Sequence, residues 1–254
     1  MNIYVAGILW VGGAAALGAV IGYLVRRFGW DEGRPDNNDA AGQVFTIVGG
    51  LHAVLVAFVL ISLFDSVSAA ADGAQTEADS LVAAAWAADS LPAETRDKVH
   101  QLATAYASTV VQQEWPRLTD AGEVPDTGWA QLDELRRTVA AAPADGDWQV
   151  AEKTEASNQI WAVYQARQHR LDSAGGDGVG GVVWFALILG SLVTSILLPN
   201  LFGGTRPAAH IIIVSTLAGT ITLLLFAIYQ LQNPFSGGAK IPPDAFTSAL
   251  ERLA

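Results

Sequence analysis

Four stretches of the chain, residues 3–25, 44–64, 181–202 and 208–230, contain no Asp, Glu, Lys or Arg. Each is long enough to cross the ~30 Å hydrocarbon core of a bilayer, which takes roughly 20 residues of α-helix. The pattern predicts two membrane hairpins, residues 1–65 and 181–230, joined by a polar insert over 66–180 and followed by a polar tail over 231–254. Within the insert, apolar positions recur every three or four residues and never alternate over a strand's length. Val99, Leu102, Ala103, Tyr106 and Val110 form one such stripe, Trp129, Leu132, Leu135 and Val139 a second, and Ile160, Val163, Tyr164 and Leu171 a third, with Arg167 on the same face. Ser90-Leu-Pro92 opens the first of these helices and Trp115-Pro116 is expected to end it. Pro143 and Gly146 separate the second from the third, and Gly175-Gly176-Asp177-Gly178 forms a joint before span three. The expected fold is all-α: a polytopic membrane protein with four transmembrane helices and a helical soluble insert between helices two and three.

The spans differ in what they carry. In the first, Ala14, Gly18 and Gly22 lie four apart on one face, a spacing that lets two helix backbones approach closely in lipid. Packing against span two, or a seam between copies, would use that face. Residues 3–25 read as a retained span, with signal cleavage after Ala14–Ala16 as the alternative. Asp65 closes the second apolar run, yet the Ala-rich, Pro-free sequence from Ser66 to Ser90 predicts that this helix continues past the membrane. Pro199-Asn200 predicts a kink or an end in span three. Ser191, Thr194 and Ser195 there, with Ser215, Thr216, Thr220 and Thr222 in span four, either bond to nearby carbonyls or line a hydrophilic path.

Charge sharpens this division. The formal net charge is −11, and residues 65–180 hold 8 Lys/Arg against 19 Asp/Glu, so the insert carries the whole excess. That balance argues against nucleic-acid binding and against clamping onto anionic headgroups. The chain has no cysteine, which excludes disulfides, thiolate metal sites and cysteine nucleophiles. His100 and His169 lack a His or Glu partner at ligand spacing, and no Gly-x-Ser-x-Gly elbow or nucleotide loop occurs. The sequence therefore points to no metal, no cofactor and no catalytic residue. Arg26, Arg27, Arg34 and Arg206 flank one membrane face, and Arg167, Arg170 and Lys240 the other. By the positive-inside rule this narrow excess places the insert outside. An even number of spans puts both termini on the insert's side.

Five short motifs follow one another along nearly the whole chain. They are Gly50-Leu51-His52-Ala53-Val54-Leu55-Val56-Ala57-Phe58, Glu77-Ala78, Glu114-Trp115-Pro116, Arg167-x-x-Arg170-Leu171 and Leu231-Gln232-Asn233-Pro234-Phe235-x-Gly237. Their order resembles a bacterial membrane family described as bestrophin-like, distant kin of the bestrophin anion channels. The departures are His52, where the family pattern has Tyr, and Gln232 or Asn233, where it has Asp. The resemblance implies a homo-oligomer, a pentamer in bestrophins, with a permeant ion passing along a pore lined by the second span. It also implies a multi-pass protein of the bacterial cell membrane whose insert and termini are cytoplasmic, against the arginine count. The lipid bilayer and further copies of the chain are the expected partners.

Candidate site residues follow from both readings. His52 is the one ionisable side chain of span two, and such a residue either serves function or is satisfied by a neighbouring carbonyl or hydroxyl. Leu51, Leu55, Phe58 and Ser62 share a helical face and, with His52, would line a pore as an apolar neck that gates by dewetting; ordinary core packing uses the same stripe. Asn37, Asn38 and Asp39 stand where an ion would enter span two, or they cap its helix. Glu114, Trp115 and Pro116 read as a helix terminus with an anchoring aromatic, Glu114 pairing with Arg167 or Arg170. Asn233, Pro234, Phe235 and Gly237 terminate span four. An oligomeric ion channel is the expected function; the alternative is a non-conducting sensor or scaffold whose insert binds a ligand or partner.

Overall fold

The computed structural model describes residues 2–28, 38–120, 122–176, 178–202 and 206–254. Among them every regular element is helical: α1 (Ile3–Phe28), α2 (Asn38–Ala87), α3 (Ala93–Thr109), α4 (Trp115–Thr119), α5 (Thr127–Ala141), α6 (Asp147–Gly175), α7 (Gly181–Leu192), α8 (Pro207–Leu231) and α9 (Asp244–Leu253). Four helical segments, Ile3–Phe28, Asn38–Ser90, Gly181–Leu201 and Pro207–Leu231, are long and apolar enough to cross a membrane, as the sequence pattern predicts. The chain forms two compact units, residues 1–64 with 177–232, and 65–176 with 233–254.

In the first unit α1 packs along α8. Gly7, Gly18 and Gly22 are its buried residues, and the contact is backbone-close. A Cβ on Gly18 would lie 3.0 Å from the Ala218 methyl and 3.2 Å from the Val214 carbonyl oxygen. The small-residue face thus meets span four, not span two. Small residues permit close approach but carry no information about which helix fills the space. Polar side chains complete the contact. Arg26 Nη2 donates to the Phe202 carbonyl at 2.6 Å and lies 3.4 Å from His210 Nδ1; His210 Nε2 stands 2.9 Å from Asn200 Oδ1, and Asn200 Nδ2 donates to the Ile196 carbonyl at 2.6 Å. With Nδ1 accepting, Nε2 carries the imidazole proton, so the relay runs in one direction from Arg26 to the end of span three.

Two π-helical turns occur, Val110–Glu114, which leads on into α4, and Val193–Leu197, which leads into a 3₁₀ turn, Leu198–Leu201, that ends span three. In both, a proline follows two residues later, Pro116 and Pro199. A proline ring collides with the carbonyl four residues back and offers it no N–H. Widening the preceding turn relieves that collision and lets the helix go on. Trp115-Pro116 therefore does not end the helix, as the sequence reading had it; Pro116 opens one further turn, α4. In span three the widened turn is supported by side chains that bond their own backbone, Ser191 to Leu187, Thr194 to Gly190 and Ser195 to Ser191.

The second unit packs the later part of α2 with α3, α5, α6 and α9 around one core. Ala70, Ala74, Ala78, Leu81 and Ala85 form α2's buried stripe, small enough for the partner helices to come close. Gly146, at φ 88°, takes the left-handed conformation that turns the chain into α6. Residues 231–254, read from sequence as a polar tail, include α9, whose Phe246, Ala249 and Leu253 are buried in this core.

Gly18→Leu should force α1 and α8 apart and lower stability by about 1–3 kcal/mol, the usual cost of overpacking. Gly12→Leu, whose added Cβ meets nothing within 4 Å of the same chain, is the control. Thermal unfolding of both variants in detergent micelles checks the difference.

Candidate functional site

Five polar side chains far apart in sequence meet in the second unit. Glu77 comes from α2, Tyr106 from α3, Glu114 from the first π turn, and Arg167 and Arg170 from α6; all five are buried. The two arginines lie three residues apart on the face of α6 that also buries Ile160 and Val163, so helical spacing drives them into the core. Arg170 grips Glu77 bidentately, Nε to Oε2 at 2.8 Å and Nη2 to Oε1 at 3.0 Å, and Nη2 also donates to Glu114 Oε2 at 2.9 Å. Arg167 Nη1 donates to the same Glu114 oxygen at 2.7 Å and to the Tyr106 hydroxyl at 3.3 Å. Tyr106 in turn donates to Glu77. Aromatic rings close over the guanidiniums. Trp129 lies 4.6 Å from Arg167 Cζ, and Trp115 and Phe246 lie 5.7 and 5.6 Å from Arg170 Cζ.

Two carboxylates balance two guanidiniums, and this sets their ionisation. Burial alone would raise the Glu114 carboxyl, but the hydrogen bond from Arg167 and the charges of Arg170 and Arg167 outweigh it and hold Glu114 below the usual glutamate range. Burial likewise opposes charge on Arg170, while Glu77 beside it pushes its pKa upward. The Tyr106 hydroxyl is pushed well up by burial and by Glu77's charge, so it remains a neutral donor. Every carboxylate here is engaged by a cation and closed to solvent, which suits a clamp joining α2, α3 and α6. Gly128, at the start of α5, belongs to the same arrangement. A Cβ there would collide with Glu114 Oε1 and lie 2.6 Å from Arg167 Nη2.

The expected pairing of Glu114 with Arg167 or Arg170 is present with both. Trp115 is buried, donates from Nε1 to the Ile241 carbonyl at 2.9 Å, and meets Phe235 edge-on at 5.4 Å. Asn233 Nδ2 donates to the Ala174 carbonyl at 3.1 Å, its Oδ1 accepts from Phe235 N at 2.9 Å, and Pro234 accepts from Ile241 N at 3.1 Å. Gly237 adopts φ 68° beyond this turn. These motif residues thus tie the chain's last segment to Trp115.

In the first unit the pore candidates part company. Leu51 and Phe58 are each 67% exposed and Ser62 is exposed, with Leu55 half-buried. His52 points elsewhere. It is buried, with Nε2 3.2 Å from Ser191 Oγ, and that hydroxyl gives its own proton to the Leu187 carbonyl at 2.6 Å. His52 therefore donates from Nε2. Gly190 lies against its ring, where a Cβ would collide with Nδ1. Of the residues where an ion would enter, Asn38 and Asp39 lie in the first turn of α2, and Asn37 lies outside the described residues. Among the described residues no group of three or more His, Cys, Asp or Glu could hold a metal ion.

Glu77, Tyr106 and Gly128 escaped the sequence reading as site members. Glu77 gave two signals: it heads the Glu77-Ala78 motif, and it is an acid on the same α2 face as Ala70, Ala74 and Leu81. Tyr106 looked like any apolar position of a stripe, and nothing local marks Gly128.

A four-span, all-α membrane protein with a charge-clamped helical unit is the class this structure defines. The bestrophin-like domain family matches residues 12–246, and the chain belongs to that family. A bacterial bestrophin homologue from Klebsiella pneumoniae, crystallised with a leucine-to-threonine mutation, superposes with a TM-score of 0.71 at 12% identity, covering 100% of this chain and 98% of that one. The same homologue with an isoleucine-to-threonine mutation gives 0.69 at 13% identity, covering 97% of each chain. A membrane protein with a proline-to-alanine mutation also gives 0.69, at 12% identity and with 100% of this chain and 98% of that one covered. At these identities the likeness shows a shared fold. A comparison with curated proteins returns no match.

Glu114→Gln leaves two buried guanidiniums short of a counter-charge and should cost about 3–5 kcal/mol at neutral pH. Because the Glu114 carboxyl is held low, its contribution is complete above the ordinary glutamate value of about 4.3 and fades as pH falls below it. Unfolding midpoints followed by circular dichroism should therefore drop between pH 7 and 3 in the wild type and fall less steeply in Glu114→Gln.

Proposed function

We propose that the protein is the subunit of a homo-oligomeric ion channel in the bacterial cell membrane, with α2 lining the conduit. One observation carries this reading. The α2 face bearing Leu51, Phe58 and Ile61 is 57–67% exposed, while the neighbouring face with Val56 and Leu63 is used against α7 and α8. Set around an axis, Leu51, Leu55 and Phe58 would form a constriction narrow and apolar enough to gate by dewetting, with Ser62 beyond it. Membership of a bestrophin-like family, and the fold shared with a bacterial bestrophin homologue, support the channel reading. His52 stands behind this wall, and its bond to Ser191 sets the α2–α7 contact instead of touching the ion. Asn37, Asn38 and Asp39 would stand at one mouth. The insert and both termini occupy the cytoplasmic side, and the ring is a pentamer. No catalytic step is assigned.

Purified oligomer in planar bilayers should carry ion currents, and Phe58→Ala should widen the constriction and raise the unitary conductance severalfold. His52→Ala should alter stability more than conductance. Electrically silent bilayers containing intact oligomer would favour the non-conducting sensor or scaffold.

A further inference from the structure

We infer that the second unit carries a binding groove for a linear polyamine, built on a row of three aromatic rings where α5 and α6 meet. Trp129 of α5 and Tyr164 of α6 stand 5.3 Å apart at 40°, and Tyr164 and Trp161 stand 6.2 Å apart at 23°. Trp161 and Tyr164 lie three residues apart on α6, so the helix sets their rings side by side. The row starts in the core and ends in the open. Arg167, wholly buried, lies 4.6 Å from the Trp129 centroid, whereas Trp161 is 61% exposed. A groove of about 620 Å³ runs past these rings and on along α6 to Gln168 and Asp172. From Trp161 to Asp172 the helix rises about 16 Å, too far for one compact cation and suited to a chain. Trp161, Gln168 and Asp172 are all exposed, so each can be touched from solvent. Gln168 Nε2 donates to Asp172 Oδ1 at 2.8 Å, which holds the carboxylate in place, and no described residue takes its Oδ2. An ammonium there would gain a charge-assisted bond. Ring faces attract cations and also offer flat apolar surface to methylenes, and a polyamine presents the two in alternation. Charge points to the same ligand. No Lys or Arg lines the groove, and residues 65–180 hold 8 Lys/Arg against 19 Asp/Glu. Gln165, Gln168 and His169 flank the rings, so the groove is not the continuous apolar seam that a docking helix needs. The site goes beyond the channel reading and holds whether or not the protein conducts.

The test uses the full-length oligomer in detergent micelles, titrated calorimetrically with spermine in about 0.15 M sodium chloride, where exposed charges more than ~8 Å apart are largely screened. Saturable heat is expected with spermine and none with tetraethylene glycol, an uncharged chain. Trp161→Ala keeps the net charge, so loose attraction of a cation to the acidic surface is untouched. Because Trp161 is exposed, this variant should melt where the wild type does. It should weaken spermine binding at least about fivefold, and Trp161→Phe, which restores a ring, should recover most of that loss. Equal heats from the two chains would overturn the proposal, as would spermine affinity unchanged in Trp161→Ala. A change of oligomer mass in Trp161→Ala, measured by light scattering, would also overturn it, by showing that the rings seat a second copy of the protein.

Discussion

In hydrocarbon there is no water to bond an open N–H or C=O, so the backbone of a spanning segment must satisfy itself. That requirement shapes the first unit wherever regular helix is impossible. Pro199 removes an N–H near the end of span three, and the structure answers with a π turn, with hydroxyls of Ser191, Thr194 and Ser195 returned to their own helix, and with Asn200 covering the Ile196 carbonyl. Arg26 reaches the Phe202 carbonyl just beyond. Each departure from α geometry in this span is matched by a nearby donor.

The second unit meets the opposite difficulty. Its interior holds charge. Taking two guanidiniums and two carboxylates out of water is costly, and only close, multiply bonded geometry repays it. Such a network need not add much net stability over a well-packed apolar core, but it is unforgiving of register. Glu77, Glu114 and the two arginines meet only if α2, α6 and the π turn stand at one axial setting, and Gly128 leaves the space that this setting requires. Glu114 is the last residue of that π turn, and both it and Trp115 beside it are buried. A distortion that accommodates a proline also builds the clamp.

Local sequence and tertiary structure contributed differently. Runs without charge are long enough that only spanning helices suit them, so the four spans and the all-α class were legible without any partner in view. The pairing of Glu114 with Arg167 and Arg170 was legible too, since acids and arginines at apolar-stripe positions need a buried counter-ion. The small face of span one was readable as a contact surface, yet its partner α8 was not, because glycine and alanine admit any helix equally. His52 stood out as ionisable in an apolar span, but whether it turned toward Ser191 or toward the exposed face depended on the rotation of α2 against α7. The helical period alone leaves that rotation free.

The contribution of α9 shows where the boundary lies. Phe246, Ala249, Leu250 and Leu253 have amphipathic spacing that sequence displays, but a ten-residue helix has too little apolar surface to declare where it docks. By itself the sequence determined the spans, the helical insert, its acidic charge and the residues that had to be buried, because those depend on composition and period within one segment. Tertiary structure alone decided which faces meet and which donor reaches which acceptor, because these depend on the rotation and axial offset of helices whose contacts lie many turns apart in the chain.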